Sequence, residues 1–365
     1  MITQIGRLAR TTLIYGVGQV LLRFISLLLM PLFTSFLTPT EYGISAMLGL
    51  ISMVVTPIFS LGLGTAIGVC FFEHTDRLGR STVIWTSFLM LVVSVSAVFS
   101  SMLLFATSIS ELVFQTPEYA YFVQLNAATI AIGILLNPFL YFLQFEERAI
   151  SYVVITVIVG VVSILLSIFF VVYRRQGLEG VLIATVVGQI LGFFLYFGWS
   201  LSFLEWGVQA AMARRLLRMG VPLIPSFFFL FVIMQGNKYL LQSARGLDEL
   251  GVFNIGVNMG SVMNLLVGAF TTAWTPFFLS FSQRQEEGRT LLGRLTGYYV
   301  LGFGLISLLF YVAARPLVLL LTAEPYHGAF LSVGPTATAQ FLTGIFSMLL
   351  PAMYFAKEVN YLVVV

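Results

Sequence analysis

The chain has 365 residues, 59% hydrophobic and only 9% charged, with a formal net charge of +3. A soluble domain carries about 25% charged residues, and a mean hydropathy of +1.00 is more apolar surface than a soluble core can bury. A soluble fold is excluded, and the small basic excess gives no footing for nucleic-acid binding. Cys70 is the single cysteine, so no intrachain disulfide and no cysteine-based metal site is expected. His74 and His327 fall far apart in predicted loops. No catalytic residue, metal or cofactor is expected.

The predicted elements are set by where the charges sit. A spanning helix needs about 20 apolar residues. The first candidate span, 11–40, holds one charge, Arg23. It is too long for a signal-peptide core and lacks a cleavage site after it. Charge-free runs follow at 42–72, 81–110, 119–145, 149–173 and 180–204. The seventh span, 219–244, contains Lys238, and charge-free runs return at 250–283, 295–314 and 325–356. Each run is expected to hold one helix, ten in all, with an eleventh beginning at "NYLVVV" (360–365). Placing the N-terminus in the cytoplasm puts twelve lysines and arginines inside and four outside, Arg174, Arg175, Arg245 and Arg315. That asymmetry predicts a multi-pass protein of the cytoplasmic membrane with its N-terminus inside. Eight prolines fall within the spans, which predicts kinked helices suited to a protein that changes shape. Gly64/Gly68, Gly188/Gly192 and Gly256/Gly260 have the spacing of close helix packing.

Shifted by 208 residues, "RLAR" (7–10) falls on "RLLR" (215–218) and "EYGI" (41–44) on "ELGV" (249–252). The offset encloses six spans. The expected fold is therefore an all-α polytopic membrane protein with two six-helix lobes as a parallel repeat. Such a repeat places a pseudo-two-fold axis along the membrane normal and a site between the lobes. The lobes are expected at 1–208 and 209–365, the second incomplete, as in a chain truncated at its C-terminus.

Polar residues form stripes on several spans. Gln19, Arg23 and Ser26 follow one face of the first helix. Gln235, Lys238 and Gln242 share a face of the seventh, beside Asn237. Asn254, Asn258, Ser261 and Thr272 lie in a narrow sector of the eighth, and the fourth contributes Gln124 and Asn137. Such stripes face protein or water, not lipid. A lone amide often does no more than join helices, at about 0.6 kcal/mol. Arg23 is different. It sits near mid-span, where a charge costs roughly 2.5–3.5 kcal/mol on insertion scales, and all fifteen acidic residues lie in loops or at helix ends. Two deep cations without buried anions suit an anionic substrate such as a phosphate or diphosphate.

Two resemblances follow from motifs. "DRLGR" (76–80) is similar to the loop signature of the major facilitator transporters, but Phe72 stands where that signature has glycine, and an ordinary charged loop is the better reading. A broader set is "FLTPTEYGISAM" (36–47), "SLGLGTAIGVCFFE" (60–73) and "GNKYLLQSARGLDELGVFNIGVNM" (236–259). In order and spacing these resemble the polysaccharide-biosynthesis, or Wzx-like, flippases, in the superfamily of the multidrug and toxin extruders and lipid II flippases. The resemblance implies a MATE-like fold. It implies alternating-access export of undecaprenyl-diphosphate-linked oligosaccharide through a cationic cavity, by a monomer working beside glycosyltransferases and a glycan polymerase. In that comparison Lys238 matches the basic member of a seventh-helix pair, Gly251–Phe253 matches Gly-x-Tyr/Phe, and Asn237 stands where aspartate is usual. Arg23 resembles first-helix arginines of related lipid flippases. A cation-coupled antiporter of the same fold would want a buried acid, and a glycan polymerase or ligase would want large outer loops.

Overall fold

The computed structural model describes residues 24–279 and 285–355. In chain order its α-helices are α1 Met30–Phe36, α2 Pro39–Phe59, α3 Leu63–Glu73, α4 Arg77–Leu104, α5 Ala106–Phe114, α6 Ala120–Phe145, α7 Ala149–Ile168, α8 Gly177–Leu201, α9 Ala210–Gly220, α10 Ile224–Gly260, α11 Val262–Leu279, α12 Gln285–Leu321 and α13 Phe330–Phe355. No strand occurs among the described residues, and seven helical stretches there are long and apolar enough to cross a membrane. They fall into two compact units. The first holds Phe36–Leu250 with residues 24–29, the second Met30–Ser35 with Gly251 onward.

Local chemistry sets the helix ends. Thr38 caps α2 in a reciprocal box. Its backbone N–H donates to Glu41 Oε2 at 2.7 Å, while Glu41 N–H donates to Thr38 Oγ1 at 3.3 Å, which satisfies two donors a helix start leaves open. Asp76 caps α4 through the Gly79 N–H at 2.7 Å. "DRLGR" is thus a cap and first helical turn rather than a loop. The run 42–72 holds two helices rather than one. The chain turns after Pro57 through Leu61 (φ 54°) and Gly62 (φ 62°), a left-handed step that glycine takes without steric cost. The run 81–110 likewise breaks between α4 and α5, and Arg315, expected in a loop, lies inside α12.

In the first unit α6 is central, flanked by α4 and α8, with α7 against α8 and α2 against α6. Lipid tails are as apolar as leucine, so packing rather than water exclusion joins such helices. Phe139 on α6 meets Trp85, Phe88 and Phe197 with ring centroids 6.0, 5.0 and 5.0 Å away. Gly188 and Gly192 let α8 lie directly on Ser163 and Val159 of α7, as their spacing predicts. Helix α9 buries Met212, Leu216 and Gly220 and exposes Arg214, Arg215 and Arg218. It packs on α3 and α4, and Arg215 pairs with Glu73 at 2.6 Å.

Helix α10 is two helices meeting at Gly246, whose φ of 86° and ψ of −179° are non-helical. A side chain is strongly disfavoured in that region. In the second unit α13 packs against α11 and α12. Tyr299 is its aromatic hub, 4.3 Å from Phe303, 5.0 Å from Phe270 and 5.9 Å from Phe341. Gly256 and Gly260 bring α10 onto the carbonyls of Ala329 and Val333. Thr34 Oγ1 of α1 accepts from Ala323 N–H at 3.1 Å.

Candidate functional site

The first unit has an open cavity of about 430 Å³ between α2, α6, α7 and α8. Three- and four-residue steps supply its polar wall. Ser52 and Thr56 come from α2, Thr129, Gly133 and Asn137 from α6, Tyr152 and Thr156 from α7, and Gln189, Gly192 and Tyr196 from α8. A second cavity, about 400 Å³, shares Thr56 and Asn137 and adds Ser60, Thr65, Tyr141 and Gln144. Neither lining contains a charged side chain.

Part of this polar surface is committed to the protein. Ser52 Oγ donates to Asn126 Oδ1 (3.1 Å), and Asn126 Nδ2 donates to the Leu48 carbonyl (3.1 Å), which ties α2 to α6. Thr156 Oγ1 donates to the Tyr152 carbonyl (2.8 Å) and lies 2.7 Å from the Tyr196 hydroxyl. The rest is available. The side-chain amides of Asn137, Gln144 and Gln189 have no hydrogen-bond partner among the described residues, although all three are half-buried. Pro138 follows Asn137 inside α6 and has no N–H to give the Ile134 carbonyl four residues back, leaving one more acceptor beside the cavity. A half-buried amide costs free energy until it is paired. These groups therefore call for water or for a ligand rich in hydroxyls.

The residues expected from sequence are distributed differently. Gln19 and Arg23 lie outside the described residues. Ser26 is exposed on the helical stretch 24–28 of the first unit. Gln235, Lys238 and Gln242 share one face of α10. Lys238 is half-buried with no ion pair among the described residues, and the Oε1 atoms of Gln235 and Gln242 are buried without a partner. Asn237 is exposed. Asn254 and Asn258, four residues apart, belong to the second unit. The polar cavity instead forms around Asn137, with Gln189, Thr129, Tyr152, Thr156 and Tyr196 beside it, five residues the sequence did not single out. Their signal is the i, i+4 recurrence of Thr129–Gly133–Asn137 and Tyr152–Thr156. Among the described residues no cluster of His, Cys, Asp or Glu is placed to hold a metal.

A family model described as polysaccharide biosynthesis protein matches residues 8–282. The chain belongs to the polysaccharide biosynthesis protein family. No curated protein matches this member of the family. Among solved structures, it is similar to an inward-facing multidrug-resistance MATE family transporter of the MOP superfamily, at 15% identity over 93% of this chain and 88% of that one, with a TM-score of 0.70. The MATE multidrug transporter DinF-BH in complex with R6G matches at 16% identity over 98% and 84%, TM-score 0.68. An outward-facing MATE family transporter matches at 16% over 94% and 79%, TM-score 0.65. These likenesses establish the MATE-like fold. This member of the polysaccharide biosynthesis protein family is thus a multi-pass membrane protein.

Proposed function

We propose that this protein is an exporter that carries a lipid-linked oligosaccharide, a polyprenyl-diphosphate glycan, across the cytoplasmic membrane. The observation that carries the reading is the charge-free cavity of the first unit, with three uncommitted amides, hydroxyls and buried tyrosines. Sugars present many neutral donors and acceptors, and Asn and Gln side chains offer both. A cationic drug needs a carboxylate, and neither cavity lining has one.

In this proposal the repeat lobes, 1–208 and 209–365, rock outward from the inward-open state while the lipid tail stays in the bilayer. Arg23, with Gln19 and Ser26 on its face, and Lys238, with Gln235 and Asn237 beside it, offset the diphosphate. Asn254 and Asn258 contact sugar or water. No covalent step is involved. Moving one negative charge out of a negative interior is favoured by about 2.3 kcal/mol per 100 mV. Glycosyltransferases and a glycan polymerase would act on either side of the step, with the exporter a monomer.

The test is a leaflet-flipping assay in liposomes with fluorescent polyprenyl-diphosphate oligosaccharide, run beside uptake of a cationic dye. Wild type is expected to flip the glycan lipid and leave the dye outside. Arg23→Ala should slow flipping at least tenfold, with Arg23→Lys in between. Ion-driven dye transport without glycan flipping refutes the reading. Unaltered flipping by Arg23→Ala refutes the diphosphate role of Arg23 alone.

A further inference from the structure

A second recess lies away from the polar cavity. At the Ser202 end of α8, Phe194, Leu195, Gly198, Trp199, Ser202 and Phe203 line an open groove of about 390 Å³. Its rim faces outward: Phe194 is 64% and Trp199 48% exposed. On a membrane-spanning helix, side chains so exposed meet lipid, and a tryptophan near the helix end sits at headgroup level.

Two of the three arginines near the groove have carboxylate partners. Arg77 donates through Nε to the Phe203 carbonyl at 2.8 Å and pairs with Glu205 at 3.4 Å. Arg80 pairs with Glu146 at 2.9 Å. Arg148 has no carboxylate among the described residues. Its guanidinium carbon lies 3.5 Å from the centroid of the Phe203 ring, and its Nε is buried with no acceptor. Arginine is cationic, so a guanidinium without a carboxylate partner among the described residues stacks on a residue that walls the groove.

We propose that this groove holds an anionic phospholipid of the bilayer, an acyl chain lying along Phe194–Trp199 and the phosphate at Arg148. The charge count selects the occupant. One free guanidinium balances one phosphodiester, whereas the diphosphate of a polyprenyl carrier would leave negative charge unmatched. A planar guanidinium stacked on an aromatic ring keeps its edge N–H groups for phosphate oxygens. The inference does not depend on which substrate the exporter carries.

The test is native mass spectrometry of the full chain from mild detergent, titrated with phosphatidylglycerol or phosphatidylcholine. Wild type should retain phosphatidylglycerol about fivefold better, the effect of one arginine at an anionic lipid surface. Arg148→Gln should bring that ratio to about one, and Arg148→Lys should keep most of it. A Cβ on Gly198 meets no atom within 4 Å, so Gly198→Leu fills the groove without a clash at Cβ. It should lower retention of both lipids, which gives a readout should Arg148→Gln fail to fold. Arg214→Gln, at an exposed arginine on α9, serves as a control and should match wild type. Equal retention of the two lipids by wild type, or an unchanged ratio in folded Arg148→Gln, overturns the proposal. So does displacement of phosphatidylglycerol by farnesyl diphosphate at lower concentration, which would assign the groove to the carrier lipid.

Discussion

The Thr40 hydroxyl donates a hydrogen bond to the Asp248 carboxylate, and the two residues stand 208 positions apart, the offset of the internal repeat. Both lie in the first unit, where the contact ties the start of α2 to α10 just past its break at Gly246. The contact is reinforced at Gly43, where a Cβ would collide with the Leu247 carbonyl. Glu41, between them in sequence, accepts from the Leu178 N–H at 2.8 Å and fastens the start of α2 to the start of α8. The proposed rocking of 1–208 against 209–365 has to part this junction. Oxidising a Thr40→Cys/Asp248→Cys pair to a disulfide is expected to stop glycan-lipid flipping, and reduction to restore it. Full cross-linking with undiminished flipping would rule out separation at this junction. Gly43→Ala, an overpacking change, is expected to lower stability by about 1–3 kcal/mol, measured by thermal unfolding in detergent.

Gly246 gives a second prediction. It divides α10 at φ 86° and ψ −179°, which a side chain reaches only at a cost of about 1–3 kcal/mol. In an ordinary helix interior, replacing glycine with alanine stabilises by up to about 1 kcal/mol. At this position the sign reverses. Gly246→Ala should lower the thermal midpoint, whereas Gly236→Ala, ten residues earlier in the same helix with open space at its Cβ, should hold or raise it. A rise with both substitutions would show that the break at Gly246 is not required.

Much of the fold is legible in the sequence because the bilayer forces charges to helix ends. The boundaries near Arg77 and Arg148 follow from that alone, whereas the short helix Ala210–Gly220, amphipathic and charged, falls in a stretch read as an inner loop. The breaks at Leu61–Gly62 and at Phe105 were not legible, since a turn whose polar groups are satisfied inside the protein needs no charge to mark it. The candidate site was harder still. Among polar residues Gln189 shares its face of α8 only with Thr185, Tyr196 and Ser200, a stripe too sparse to stand out in so apolar a helix. Only convergence of α2, α6, α7 and α8 makes it a wall of the same cavity as Asn137, and helix periodicity says nothing about convergence.

The cap at Asp76 predicts a pH dependence. The Gly79 N–H, with smaller contributions from His74 and Arg80, holds this carboxyl below its usual range. The folded state therefore binds its proton less readily than the unfolded state. The contribution to stability is fully present above the unfolded carboxyl value of about 3.9 and is lost as pH falls through the lower folded value. Asp76→Asn keeps an acceptor at the cap and removes this titration. Thermal midpoints measured between pH 6 and pH 3 should fall less for Asp76→Asn than for wild type, and parallel curves would refute the assignment.

Asn137 and Gln189 provide the sharpest test of the cavity as a sugar site. Neither amide has a partner among the described residues, so replacing either by leucine removes no protein hydrogen bond and fills a similar volume. Loss of folding stability should be small, and in wild type the desolvation of the bare amides works against it. A bound glycan would instead lose a hydrogen bond at each position, about 1 kcal/mol or roughly fivefold. Two amides acting on separate hydroxyls should be additive, so Asn137→Leu/Gln189→Leu is expected to slow glycan-lipid flipping about 25-fold at limiting substrate. Amides bridging the same sugar would give a smaller combined loss, because the first substitution already frees the shared group. If both single variants flip at the wild-type rate with unchanged melting, the cavity holds only water and the glycan passes elsewhere.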